Sequence, residues 1–223
     1  MKPNYQDKGI NFYCGDCMAL LKEKPDNYWS LSIVDPPYGV AYARGKSGWG
    51  VCNNRPDLSD VKWDSKTPNI QYFKELQRVS VNQIVWGGNY FTDKLPVSKC
   101  WIVWNKINHT ANKSVFSDAE LAWTSFTKVV KMFTLRQMGF VSDTHDKGRI
   151  HPTQKPTELY VWLFKNYAKP GDRILDTHGG SGSSAIACAL EGFEMDIIEI
   201  DEEYFEASIK RFKEATCQMK LFS

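Results

Sequence analysis

The sequence lacks any long apolar run. No stretch in its 223 residues approaches the roughly 20 apolar residues that a membrane-spanning helix requires. The first five residues, Met1 to Tyr5, contain nothing that resembles the apolar segment of a secretory leader. We therefore expect a soluble, cytoplasmic protein that makes no contact with a membrane.

Cysteine and histidine are also sparse. The six cysteines form no framework, and their one tight pair, Cys14 and Cys17, has no second pair or histidine cluster at zinc spacing. The four histidines are dispersed along the chain. We expect no metal site and reduced thiols, as is usual in the cytoplasm.

Internal repeats and low-complexity tracts are absent too, and the net charge is only +2. The charge is unevenly distributed, however. Residues 94–155 contain ten Lys and Arg against four Asp and Glu (+6), whereas residues 172–214 contain four against eleven (−7). This asymmetry favours a middle region that faces a polyanion, although ordinary surface charge is the alternative. The length fits a single α/β domain over residues 1–223.

The first motif that carries chemistry is Asp35-Pro36-Pro37-Tyr38-Gly39, directly after the apolar residues 31–34. Proline has no backbone N–H, and a residue before proline is pushed toward extended geometry. The motif therefore offers a carboxylate, carbonyls without a competing amide and an aromatic ring, which together suit the binding of an amino group. The alternative is an ordinary loop, because Asp and Pro are common in turns.

The second motif is a predicted strand over residues 173–176 that leads into a glycine-rich turn and a helical pattern at 184–190. Glycines permit a close backbone approach, and a helix start offers free N–H groups. The spacing Gly180-x-Gly182-x-x-Ala185, with Glu199 further on, also satisfies a variant of the dinucleotide fingerprint. A nicotinamide or flavin enzyme is therefore one alternative.

The order of the two motifs, with Asp-Pro-Pro-Tyr first and the glycine turn last, resembles the β class of amino-group DNA methyltransferases. The similarity covers most of the chain through further blocks at residues 15–16, 86–91, 101–104, 120–123 and 151–156. It implies an α/β, Rossmann-like fold of the S-adenosylmethionine-dependent methyltransferases, circularly permuted so that the catalytic motif precedes the cofactor motif.

The resemblance implies methylation of the N6 amine of adenine in DNA. The Asp35 carboxylate and the Pro36 carbonyl would accept its two N–H bonds, and Tyr38 would stack on a base flipped out of the duplex. Pro37 and Gly39 belong to the same motif. Asn89 follows a predicted strand and should reach the same edge, and Lys106, Lys113 and Arg136 are candidate DNA contacts.

The resemblance also implies the residues that bind S-adenosylmethionine. Asp176 and the turn would enclose its methionine part, with the turn formed by Gly179, Gly180, Ser181 and Gly182. Glu199 would hold the ribose, Asp16, at the end of the first predicted strand, would bind the adenine amine, and Lys155 would approach the carboxylate. His178 stands where the family commonly has Phe, which leaves open whether its ring packs or makes a hydrogen bond.

The apolar patterns predict strands at 10–14, 31–34, 83–86, 101–104, 121–126, 173–176 and 195–200, and helices at 18–23, 69–79, 157–167 and 184–190. A last helix should begin after a cap at Asp201, with a core stripe of Phe205, Ile209 and Phe212. A mobile substrate loop is expected at about 40–67 and a small target-recognition region at about 105–150. Residues 128–150 show no convincing period.

Several alternatives remain open from the sequence. N4 of cytosine suits the same two acceptors, although family motifs that begin with Ser rather than Asp lean that way. A related protein-modifying family has Asn before Pro-Pro-Tyr, which Asp35 and the basic middle argue against. A nucleic-acid-binding pseudoenzyme is a further alternative. We expect a bacterial or phage restriction-modification setting, and a homodimer because β-class relatives often pair.

Overall fold

The computed structural model describes residues 1–39, 66–106, 117–138, 141–142, 144, 146, 150–151 and 153–217. The expected mobile loop at about 40–67 therefore lies outside the described residues except for Lys66 and Thr67. Much of the expected recognition region, including Lys113, lies outside them as well.

Eleven strands and five helices are formed within the described ranges. The strands are β1 Tyr5–Asp7, β2 Ile10–Cys14, β3 Trp29–Val34, β4 Ser80–Trp86, β5 Trp101–Asn105, β6 Ala119–Thr124, β7 Lys131–Thr134, β8 Gln137–Met138, β9 Val141–Ser142, β10 Arg173–Asp176 and β11 Glu194–Glu199. The helices are α1 Cys17–Glu23, α2 Ile70–Val79, α3 Thr157–Tyr167, α4 Ser183–Glu191 and α5 Glu202–Cys217. One turn of 3-10 helix spans Gly88–Tyr90.

Nine of these strands form one sheet in the order β1-β2-β11-β10-β3-β4-β6-β5-β7. The five strands from β2 to β4 in this order are mutually parallel, whereas β6 is antiparallel to both of its neighbours. Because β10 lies beside β3, the strand of the second motif adjoins the strand of the first. The carboxyl ends of both strands therefore open at one edge of the sheet, where α/β sheets bind ligands.

Helices cover both faces of the sheet. Successive strand residues point to opposite faces, so Ile33 packs in the core beneath α3, α4 and α5, and Val34 packs in the core beneath α1 and α2. Each core includes fully buried helix side chains, such as Leu163 on the first face and Phe73 on the second. This three-layer arrangement confirms the predicted Rossmann-like α/β fold, in which the Asp35 motif precedes the glycine turn in the chain.

The predicted elements are present to within three residues at each end, and Asp201 caps α5 by accepting from the amides of Glu203 at 3.0 Å and Tyr204 at 3.1 Å. The short strands β1, β7, β8 and β9 were not predicted, because segments of two to four residues show too few periods. One position was wrong: β2 ends at Cys14, and Asp16 is the N-cap of α1 rather than a strand end. In the described part of the chain, no helix is long and apolar enough to cross a membrane.

Candidate active site

The topology brings residues from five separate stretches of sequence to one edge of the sheet. Asp35 follows β3, Asp176 ends β10 and Glu199 ends β11, and these three strands are parallel. Strand β6 runs the opposite way, so its first residues, which include Glu120, lie toward the same edge. The side chain of Lys155, just before α3, also meets Asp35 there. Of these residues, Asp35, Lys155 and Glu199 line a shared cavity.

A cavity of about 230 Å³ connects the two predicted motifs. Its wall runs from Asp35 and Pro37 past Lys155 and His178, along the turn at 179–181, to Glu199 and Tyr204. Because β10 lies between β3 and β11 in the sheet, one end presents the carboxylate of Asp35, which is expected to be catalytic, and the other presents that of Glu199, which is expected at a ribose. A single elongated ligand in this cavity would contact both motifs.

The Asp35 carboxylate is held by two side-chain donors. The Tyr38 hydroxyl donates to Oδ1 at 2.5 Å, and the Lys155 ammonium donates to Oδ2. Burial and then the neighbouring Asp35 carboxylate raise the pKa of the Tyr38 phenol well above its usual value, so the hydroxyl stays protonated and donates. In this structure both oxygens of the expected catalytic carboxylate have partners.

The ring of Tyr38 stacks on that of Tyr90, with 4.9 Å between centroids and 13° between planes. Tyr90 is exposed, in the 3-10 turn after β4. The Tyr38 ring can occupy this position only because residue 87 is glycine. A Cβ there would lie 2.1 Å from Cε1 of Tyr38, and the backbone φ of +67° also favours glycine. The stacking of Tyr38 on a flipped base stays a prediction; a tyrosine already stacks on one face of its ring.

A second carboxylate, Glu120, lies on the far side of Lys155. The Lys155 Nζ is 3.3 Å from Oε2 of Glu120, and Lys106 Nζ is 2.9 Å from Oε1. Burial by itself would lower the pKa of Lys155, but Asp35 and Glu120 outweigh it and raise that pKa. Burial would likewise raise the pKa of Glu120, but Lys155 and Lys106 outweigh it and lower that pKa. Both groups are therefore charged at neutral pH.

The sequence did not predict the ion pairs that Lys155 and Lys106 make with carboxylates in the structure. Lys155, expected at the cofactor carboxylate, bonds to Asp35 and Glu120. Lys106, expected to contact DNA, is partly buried and bonds to Glu120. The cofactor role of Lys155 and the DNA role of Lys106 stay predictions.

The glycine turn is built around the buried carboxylate of Asp176. Its Oδ2 accepts from the Ser184 hydroxyl at 2.6 Å, and its Oδ1 accepts from the His178 amide at 3.0 Å. Burial raises the pKa of Asp176 to about 7 despite these two donors. Gly179 permits close packing on β11, because a Cβ there would lie 2.8 Å from Cγ1 of Ile197. The turn is thus held by backbone contacts and short side chains.

Glu199 ties the turn to the start of α5. Its Oε2 accepts from the amide of Gly180 at 2.7 Å, and its Oε1 accepts from the amide of Asp201 at 2.9 Å. Burial raises its pKa, and the amide donors oppose that shift. The carboxylate therefore stands in a fixed position on the cavity wall, as a contact to a ribose requires, and that contact stays a prediction.

The structure shows whether the His178 ring packs or makes a hydrogen bond, which the sequence left open. Its ring packs edge-on against Tyr72, with centroids 5.4 Å apart, and its Nδ1 lies 2.9 Å from the Thr177 hydroxyl. The residue therefore does both: it packs and makes a hydrogen bond. Burial lowers its pKa to about 4, so the ring is neutral at neutral pH.

The structure does not bring every predicted site residue to the cavity wall. Asp16 is exposed and accepts from the Met18 amide at 2.9 Å, and Gly39 and Asn89 are also exposed. Arg136 is partly buried after β7, and Lys113 falls outside the described ranges. Of the described residues in this group, none lines the cavity. Their expected contacts with cofactor or DNA stay predictions.

Sequence reasoning did not assign roles to three residues that the structure places at the site, namely Glu120, Tyr160 and Tyr204. Tyr160 and Tyr204 line the cavity, and the ring of Tyr204 packs on His151 with centroids 4.4 Å apart. One feature of the sequence could have indicated Glu120, namely that an acidic residue directly precedes the apolar residues 121–123. For the two tyrosines, helical periodicity offers no signal that separates a cavity position from a core position.

Comparison with known proteins gives consistent matches. The family model described as DNA methylase (N6_N4_Mtase) matches residues 93–210. The chain is 26% identical to the type II methyltransferase M2.MboI of Moraxella bovis, with 99% of this chain and 94% of that protein covered. It is also 26% identical to the type II methyltransferase M.HinfI of Haemophilus influenzae, with 96% and 71% covered.

Solved structures show the same fold. The cytosine-N4-specific PvuII DNA methyltransferase matches with a TM-score of 0.63 at 16% identity, over 97% of this chain and 93% of that one. A complex of M1.HpyAVI with S-adenosylmethionine matches with a TM-score of 0.56 at 20% identity, over 91% and 98%. A putative DNA modification methylase of Thermus thermophilus, complexed with S-adenosyl-L-methionine, matches with a TM-score of 0.57 at 16% identity, over 92% and 95%.

Proposed function

Because this chain belongs to the DNA methylase family that modifies N6 of adenine or N4 of cytosine, we propose that it transfers a methyl group from S-adenosylmethionine to the N6 amine of adenine in specific DNA sequences. The observation that carries the proposal is the cavity that joins Asp35 to the glycine turn. A methyl donor bound along the turn would lie next to an amine held at Asp35.

The chemistry of the motif suits an aromatic amine. The lone pair of such an amine is delocalised into its ring, so a catalyst must favour the pyramidal geometry in which the lone pair points at the methyl carbon. Two acceptors on the two N–H bonds do this, and we assign them to the Asp35 carboxylate and the Pro36 carbonyl. Positive charge develops on the nitrogen during transfer, and the Asp35 carboxylate stabilises it before the proton is lost to Asp35 or water.

The residues of the cavity fit S-adenosylmethionine. The turn is packed so closely on β11 that a Cβ at Gly179 would clash, which leaves room for a ligand on its other side. The walls carry the carboxylates of Asp35 and Glu199, and Asp176 is buried behind the turn. The Lys155 ammonium on the same wall is already paired with carboxylates, so the lining favours a sulfonium cation over the pyrophosphate of a dinucleotide. Bound there, the cofactor supplies an electrophilic methyl group.

Adenine as the target base is supported by the Asp at the head of the motif, through the resemblance described above. N4 of cytosine is the second candidate, favoured by the similarity in fold to the cytosine-N4-specific PvuII enzyme. Both amines present two N–H bonds to the same two acceptors. The target base is therefore decided by contacts to the rest of the ring.

The test is mass spectrometry of nucleosides from plasmid DNA in a methylation-free host that expresses this chain, with Asp35→Ala as the matched control. We expect N6-methyladenine with the native chain and none with the variant. Detection of N4-methylcytosine instead would show that the target base is cytosine and would leave the proposed reaction otherwise unchanged. If neither methylated nucleoside is found, although the protein is folded and binds S-adenosylmethionine, the proposal is contradicted and a pseudoenzyme is favoured.

A further inference from the structure

The contacts at Asp35 are in conflict with its proposed task. The Tyr38 hydroxyl bonds to one of its oxygens and the Lys155 ammonium to the other. An ammonium beside Asp35 partly neutralises the carboxylate and repels the nitrogen that becomes cationic during methyl transfer. Catalysis therefore favours a state in which the Lys155 ammonium has moved off Asp35.

The surroundings of Lys155 restrict where its ammonium can go. The residue is only 5% exposed, and Nζ lies over the ring of Trp86, 5.3 Å from its centroid. An ammonium in such a place needs a carboxylate partner, because an unpaired buried charge is strongly unfavourable. Among the described residues, the carboxylate besides Asp35 that pairs with Lys155 is Glu120, whose Oε2 lies 3.3 Å from Nζ.

Glu120 is itself held in place for this task. Lys106 bonds to its other oxygen at 2.9 Å, so Oε2 remains directed at Lys155. Lys106 Nζ in turn lies 5.5 Å from the centroid of the Trp104 ring. The array Asp35, Lys155, Glu120, Lys106 alternates in charge. A shift of the Lys155 ammonium toward Glu120 therefore keeps both lysines paired, and it leaves Asp35 with the Tyr38 hydroxyl and the docking amine as donors.

We propose that Glu120 is a positioning residue that accepts the Lys155 ammonium when the target amine docks on Asp35, so that the Asp35 carboxylate is released for the amine. The inference rests on the proposed function and adds a second carboxylate to it. Glu120 acts through Lys155 and does not contact the target base.

The first experiment measures kcat, the KM for DNA and cofactor affinity for Glu120→Gln. The isosteric amide is a poor partner for an ammonium, so Lys155 should stay on Asp35 and kcat should fall by roughly 10- to 100-fold. The Kd for S-adenosylmethionine, measured by calorimetry, should stay within about twofold. The matched control is Glu75→Gln, which removes a carboxylate that pairs with Arg78 on α2, away from the cavity; it should leave kcat unchanged.

The second experiment tests whether Glu120 acts through Lys155. In a Lys155→Met background, at saturating cofactor, Glu120→Gln should change kcat by less than about threefold, because the ammonium that it positions is gone. A role in packing alone would give the same loss in both backgrounds. Should Glu120→Gln fail to fold, Glu120→Asp, which keeps the charge but shortens its reach, takes its place in the cycle.

The outcomes separate this inference from the proposed function. If the native chain methylates DNA and Glu120→Gln behaves like Glu75→Gln, or if its loss is unchanged in the Lys155→Met background, the inference is wrong and the function stands. If the native chain methylates no DNA base, both fail.

Discussion

The two ends of the cavity are built in different ways. At the end proposed for the cofactor, here called the cofactor end, Glu199 and Asp176 are fixed mainly by hydrogen bonds to backbone amides and a serine within the turn or the segments beside it. At the end proposed for the target base, here called the substrate end, Asp35 is held by Tyr38 and by Lys155, which is 120 positions away in sequence. The first end is set by the local chain, and the second by side-chain charges that only the fold brings together.

The difference matters for function. Backbone donors do not change charge or rotamer, so the cofactor end is preorganised. The substrate end contains ammonium and carboxylate groups that can exchange partners, which suits a site that must accept a base and release it. The two ends should therefore respond separately to mutation.

The largest effect is expected for Asp35→Ala. Loss of the acceptor that stabilises the developing charge should lower kcat by about 1000-fold or more, while cofactor affinity stays within about twofold. Methyl transfer to DNA and calorimetry with S-adenosylmethionine measure the two quantities. An equal loss of cofactor binding would mean that the two ends are not separable.

Gly87→Ala should displace a ring at the substrate end while every charged side chain there is retained. The new Cβ would lie 2.1 Å from Cε1 of Tyr38, so the Tyr38 ring must move, and kcat should fall by roughly 10- to 100-fold. The control is Gly192→Ala, at φ +75° with nothing within 4 Å of the added Cβ. This control carries the same backbone strain, of about 1 kcal/mol, and should keep full activity. Equal losses in the two variants would assign the effect to strain.

Asp176→Ala should weaken the cofactor end instead. The turn loses the carboxylate that accepts from Ser184 and from the His178 amide, and the Kd for S-adenosylmethionine should rise by roughly 10-fold. We expect kcat at saturating cofactor to change less than the Kd. A variant with normal cofactor affinity and low kcat would reverse the assignment of the two ends.

The smallest effect concerns His178 and pH. Its pKa is about 4 in the folded chain, below its usual 6.5, because burial disfavours the charged ring. The unfolded chain therefore binds a proton that the folded chain does not between these two values, and stability falls as pH decreases through that window. His178→Phe should remove this loss, about 1 to 2 kcal/mol at pH 5.

Thermal unfolding of the native chain and of His178→Phe at pH 7.5 and pH 5 measures this effect. The stability of the variant relative to the native chain should rise as the pH is lowered. Asp176 acts in the opposite direction, since burial raises its pKa to about 7, but it is present in both proteins and cancels in the comparison. A difference independent of pH would show that the ring is not buried neutral.

Much of the site could be predicted from the sequence because its two motifs are local. The strand, Asp35 and the prolines are consecutive, and so are β10, Asp176 and the glycine turn. Within the described ranges, periodicity likewise predicted all five helices and seven of the eleven strands. The short strands β1, β7, β8 and β9 were missed because two to four residues do not establish a period.

The sequence by itself determined the fold class, the family and the order of the two motifs, because each depends on short patterns of apolar residues, prolines and glycines. Only the tertiary structure decided that Lys155, from the segment before α3, pairs both with Asp35 and with Glu120, from antiparallel β6. The three positions are far apart in the sequence, and no pattern there predicts the contact. The order of strands in the sheet sets which charges become neighbours, and burial then makes each ammonium and carboxylate depend on the other.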